Sequence, residues 1–115
     1  MDEKIALAIA RFPKVLTRSD VGLDDSPPHA VRAFCDAYAR RVAERYLAGD
    51  LSWTDGDVAI NEIFALMTQE CGNSTPDYAW DVYLAFDGGE WVQPGKPGGD
   101  EYTRPRILAL VEEER

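Results

Sequence analysis

Residues 26–49, SPPHAVRAFCDAYARRVAERYLAG, decide the fold. Val31, Phe34, Cys35, Tyr38, Val42 and Tyr46 recur in steps of three and four, a single apolar stripe along a helix. Arg32, Arg40, Arg41, Glu44 and Arg45 fall largely on other faces. Ser26 reads as the N-cap, with Pro27 at the first helical position, where its missing N–H costs nothing. Gly49 ends the helix as a capping glycine does. The spacing predicts a long amphipathic helix, and with it a helical domain.

Working outward, the neighbouring segments follow the same period. Ile5, Leu7, Ala8, Ile9 and Phe12 predict a helix over residues 3–12, stopped by Pro13. The stretch through Asp20, Gly22, Asp24 and Asp25 reads as a loop, with a short turn over residues 14–17. A third helix has two possible starts. Thr54 as cap puts Asp57 three residues on and pairs Trp53 with Val58 as a hydrophobic staple. Ser52 as cap makes Asp55 the acid instead. Ile60, Ile63, Phe64 and Met67 continue the buried face to Gly72.

A fourth helix starts at Thr75, with Pro76 in first position, and ends at Gly88 and Gly89. Tyr78, Val82 and Phe86, with Trp80, Tyr83 and Leu84 off to one side, make it apolar over much of its circumference, which predicts a central place. Gly88, Gly89, Pro94, Gly95, Pro97, Gly98 and Gly99 then mark an irregular loop, anchored to the core by Trp91 and Val92, with room for one short hairpin there. The last helix begins near residues 103–105, with Ile107, Leu108 and Val111 inward. Glu112, Glu113 and Glu114 oppose the dipole at its end and predict fraying. The expectation is an all-α, compact, single-domain bundle of about five helices over residues 1–115, with a Gly/Pro-rich loop before the last.

Composition sets the limits on function. The chain has 115 residues, enough for one core without metal or disulfide staples. Lys and Arg number 12 against 21 Asp and Glu, a net charge of −9. That excess repels phosphates and anionic headgroups, which argues against nucleic acid and membrane surfaces and favours a basic protein or a cation. No stretch approaches the roughly 20 apolar residues of a membrane span. The start, Met-Asp-Glu-Lys, lacks the regions of a signal peptide. Cys35 and Cys71 are the only cysteines, read as reduced thiols of a cytoplasmic protein.

Catalytic constellations are sparse. His29 is the only histidine, and Cys35, six residues on, sits about 240° around the helix from it. No nucleophile elbow or phosphate loop is present, and no cofactor is predicted. Asp55, Asp57, Asn61 and Glu62 cluster as hard-cation ligands do, but without the spacing of a calcium loop, and acids in a first helical turn are what capping calls for. Asp77 with Asp81 and Asp87 with Glu90 are the carboxylate pairs. The second, flanked by Phe86 and Trp91, is the more interesting; its expected role is to accept backbone N–H bonds in a tight Gly-Gly turn.

The string Ala85-Phe86-Asp87-Gly88-Gly89-Glu90-Trp91, followed by Gly99-Asp100 and Tyr102-Thr103-Arg104-Pro105, resembles a pattern in small uncharacterised bacterial proteins. Theirs reads roughly Ala-Phe-Asp-x-Gly-Glu-Tyr, then Gly-Asp and Tyr-Thr-Arg-Pro. Trp91 departs from the expected tyrosine. The resemblance covers the last third of the chain and implies no reaction, only that this corner acts as a unit, with Arg104 pairing to Asp87 or Glu90.

Three functions follow as expectations. The first is a protein that binds a basic partner, an immunity protein against a basic toxin being one version, with no catalytic role. Its candidate contact residues are Trp53, Asp55, Asp57, Tyr78, Asp87, Glu90, Trp91 and Arg104. The second is an accessory subunit whose charge serves solubility. The third is a carboxylate-based enzyme or metal binder using Asp87 and Glu90, or Asp55 and Asp57.

Overall fold

The computed structural model describes residues 15–91 and 94–113, together with Ile5. Among them a 3-10 turn at Ser19–Val21 leads into α1 (Pro28–Leu47), α2 (Trp53–Asn61), α3 (Phe64–Gln69), α4 (Asp77–Gly89) and α5 (Asp100–Glu113). No described residue lies in a strand, so Trp91 belongs to no hairpin. The helix expected over residues 3–12 lies outside the described residues, apart from Ile5, which is buried. The expected anchor Val92 lies outside them too.

All six stripe residues of α1, from Val31 to Tyr46, are at most 1% exposed. This helix packs against every other one, so α1 holds the centre of the bundle. The start falls one residue later than expected: Pro27 is the cap residue and Pro28 takes the first helical position. Two consecutive prolines satisfy the same rule, and the Ser26 carbonyl is used elsewhere, accepting from Arg18. At the other end Gly49 stands at φ +86°, in the left-handed region. Its N–H reaches Tyr46 O and the next N–H, of Asp50, reaches Arg45 O, the paired bonds that close a helix on glycine.

The expected third helix divides in two. Ser52 is its cap, with Oγ accepting from Asp55 N at 3.1 Å, so the Thr54 register is not used. The ladder breaks at Glu62, whose carbonyl accepts from Leu16 N at 2.9 Å. That carbonyl is thereby given to the incoming chain, and α3 restarts with Met67 N donating to Ile63 O. Likewise α4 starts later than Thr75, at Asp77, and its cap residue Pro76 offers no side-chain acceptor. Asp36 on α1 supplies it, with Oδ1 accepting from Ala79 N at 2.9 Å.

α4 ends at Gly89, as expected, but neither Gly88 nor Gly89 adopts the left-handed conformation of a capping glycine; both lie in its last turn. They are there for contact. A Cβ on Gly88 would overlap the Tyr102 ring, and one on Gly89 would lie 2.6 Å from Thr103 Oγ1 and 3.1 Å from Gly99 O. No tight Gly-Gly turn forms for Asp87 and Glu90 to stabilise. Two small residues let α5 close directly onto α4, and Gly99 N donates to Gly89 O at 2.7 Å. The connecting segment is therefore shorter than expected, and α5 begins at Asp100 instead of near residue 103. Pro105 sits inside it. Pro105 and Glu101 are both exposed, so water can take the carbonyl bond that proline leaves open.

The inward residues of α5 are Thr103 and Ile107, with Leu110 and Val111 partly buried; Leu108, expected inward, is 46% exposed. Thr103 is fully buried and joins three helices. Its Oγ1 accepts from Trp53 Nε1 at 2.8 Å and donates to Ala85 O at 2.8 Å. Replacing it by valine keeps the shape and strands the indole N–H. Thr103→Val should cost about 1–3 kcal/mol in urea unfolding, and an unchanged midpoint would show that the bridge contributes nothing.

Candidate functional site

On α4, Trp80, Tyr83, Asp87 and the capping residue Glu90 follow at steps of three, four and three, one line along the helix. α2 ends beside it with Asp57 and Asn61, one turn apart, and α3 begins with Phe64. The three rings form a connected group. Trp80 stacks on Tyr83 at 5.2 Å between centroids with planes 22° apart, and Phe64 lies 5.0 Å from Tyr83. Phe64 is 38% exposed; Trp80 and Tyr83 are half-buried. This is an aromatic surface with its edges open to solvent.

The carboxylates meet at one end of it. Burial and the neighbouring charge and hydrogen bond of Glu90, with Asp87 adding to them, push the Asp57 carboxyl up to about 7, and Asn61 opposes the shift. Asn61 Nδ2 donates to Asp57 O at 2.7 Å and to Asp57 Oδ1 at 3.3 Å, holding the side chain toward the cluster. Tyr83 is raised as well, mainly by burial and then by Asp87, Glu90 and Asp57. The aromatic group and the acid group thus share a border at Tyr83. Burial disfavours the charged form of Asp57 first, and the two neighbouring acids add to it.

The expected contact residues separate on this view. Asp57, Asp87 and Glu90, taken from two different sequence clusters, come together. Asp55 is exposed in the first turn of α2, where an acid suits the helix dipole. Trp53 is half-buried and spends its indole N–H on Thr103. Tyr78 is half-buried beneath Arg40, whose Cζ lies 4.8 Å from the ring centre. Trp91 does not anchor the loop: it is 69% exposed. Arg104 pairs with Asp100 on its own helix, 3.3 Å away, and lies over the Tyr46 ring at 4.8 Å, so its partner is neither Asp87 nor Glu90. Asp100 also accepts from the Tyr46 hydroxyl, and these two bonds hold its carboxyl below the usual range.

Phe64, Trp80 and Tyr83 were absent from the expected contact set. The signal was present in the steps linking residues 80, 83, 87 and 90, but those rings read equally well as core. The nucleophile pairing does not form, since His29 is exposed and both thiols are buried. Cys35 lies against Cys71 instead, and burial pushes both thiols up. Among the described residues no group of three or more histidine, cysteine or acidic side chains is arranged to hold a metal ion. Nor is any helix among them long and apolar enough to cross a membrane. No protein-family model matches the chain, and no curated protein or solved structure is detectably similar to it.

Two measurements check this electrostatic picture. A folded value of about 7 for Asp57 lies above the roughly 3.9 of an unfolded chain. The folded state therefore holds a proton that the unfolded chain has already released. Stability from this group is full below about pH 4 and is lost as pH rises to about 7. Asp57→Asn should match the native Tm near pH 3.5 and exceed it by a few degrees near pH 8, whereas a difference that does not change with pH would remove the argument from burial and neighbouring charge. For the thiols, a disulfide exchange reagent should label Cys35 and Cys71 only on unfolding, and rapid labelling of the native protein would contradict their burial.

Proposed function

We propose that this chain binds a basic protein through the surface made by Phe64, Trp80 and Tyr83 with Asp57, Asp87 and Glu90. The observation that carries the reading is geometric: Asp57 on α2 lies beside Glu90 and Asp87 at the end of α4, next to three clustered rings, and among the described residues no cation acts on its carboxyl, which burial and then these acids push up. A Lys or Arg from a partner supplies that cation. The adjoining rings add stacking and cation–π contact, the kind of contact that dominates interface energies. A net charge of −9 steers a basic partner toward the surface from a distance. An immunity-type protein that neutralises a basic toxin is one form of this function, and no catalytic role is needed. A cytoplasmic setting is part of the same proposal.

The proposal has a pH signature. Binding a cation favours ionised Asp57, so the proton leaves on association and affinity rises as pH passes through about 7. The test is affinity capture from the source lysate at low and high salt, with the native chain beside Trp80→Ala and the double variant Asp87→Asn, Glu90→Gln. The expected outcome is one basic protein, recovered stoichiometrically at low salt, whose affinity falls at least about tenfold in each variant, or ~1.4 kcal/mol. Recovery that is indifferent to salt and to both variants would return the charge to a role in solubility.

A further inference from the structure

A second surface has the opposite electrostatic character. Between the last turn of α4, the connecting segment and the first turns of α5 lies a cleft of about 520 Å³, lined by Gly88, Trp91, Lys96, Pro97, Tyr102 and Arg106. Its volume falls in the range of small-molecule sites, and the lining is mostly apolar. In a chain where acids outnumber bases 21 to 12, this lining has two cations and no acid.

The two cations are available. Among the described residues neither Lys96 nor Arg106 makes an ion pair. Arg106 is also held in place. Its Cζ lies 3.5 Å from the centre of the Tyr102 ring, and Nη1 donates to Tyr102 O at 2.7 Å. The guanidinium is therefore already ordered, with donors left over for a planar anion. Tyr102 is fixed in turn by Gly88, since any side chain at position 88 would meet its ring. Trp91, at 69% exposure, presents a large aromatic face at the mouth with no ring contact to another described residue. An exposed tryptophan is free to stack on a flat ligand ring.

We propose that this cleft binds a small aromatic anion, a flat ring bearing a phosphate or carboxylate, with Trp91 stacking on the ring and Arg106 and Lys96 holding the charged group. The site is separate in chemistry from the acidic aromatic surface and does not depend on the partner-binding reading. Its anion comes from a nucleotide-type phosphate or from an aromatic acid, two sources of one chemistry.

The test is calorimetric titration of the full chain with AMP, adenosine and inorganic phosphate, and with indole-3-carboxylate and indole. At least one of the two aromatic anions should bind at least about tenfold more tightly than its neutral counterpart and than phosphate. AMP alone binding points to a nucleotide-type ligand as the source, and indole-3-carboxylate alone to an aromatic acid. Lys96→Gln changes an exposed side chain that makes no described bond, so it leaves Tm unchanged while weakening the anion several-fold. Gly88→Ala should weaken binding by displacing Tyr102, which lines the cleft, and Trp91→Ala should weaken anion and neutral ring alike. The proposal is overturned if neither anion binds below about 5 mM, if the neutral rings bind equally well, or if Lys96→Gln binds as the native chain does.

Discussion

One buried hydroxyl holds the architecture together. Thr103 Oγ1 takes the indole N–H of Trp53 on α2 and gives its own proton to Ala85 O on α4, while belonging to α5. Three helices are thereby registered by a single oxygen in a place that water does not reach. Hydrophobic burial drives association but is nondirectional, so it would let α5 slide along α4 at little cost. A hydroxyl with one donor to satisfy and one to accept permits a single alignment. Gly89 is part of the same arrangement, because only the absence of a side chain lets Thr103 come so near.

The last turn of α4 consequently carries several duties at once. Gly88 and Gly89 receive α5, Asp87 and Glu90 face Asp57 across from α2, and Trp91 leaves the helix for the cleft. Residues of opposite electrostatic purpose are separated there by one or two positions. The helical repeat keeps them apart, since neighbours in sequence point about 100° away from each other. An acidic surface and a cationic cleft can then share one element without cancelling.

Much of the fold was legible because its main signal is periodic. The α1 stripe needs no partner to be recognised, and every residue of it is buried as its spacing implies. Ends were less legible where two residues satisfy one rule, as with Pro27 and Pro28, or Ser52 and Thr54. Glycine was the hardest to interpret. Gly49 closes its helix in the left-handed conformation, while Gly88 and Gly89, at the end of α4, stay out of that conformation and serve close approach; the difference lies in Tyr102 and Thr103, more than ten positions away. The acidic site was half visible: Asp87 with Glu90 and Asp55 with Asp57 stood out as separate clusters. That Asp57 meets Asp87 and Glu90 is decided by packing of α2 on α4, which leaves no trace in local spacing.

Asp36 points to how the bundle assembles. The first turn of α4 has no cap of its own; the carboxylate that completes it comes from the middle of α1. A short helix without its cap is marginal in isolation, because nucleation is the costly step. The start of α4 is thus written on another helix, forty residues earlier. Docking on α1 therefore supplies a bond that α4 cannot make alone. The stability of the two elements is thereby coupled: loosening α1 at Asp36 also removes the bond that starts α4.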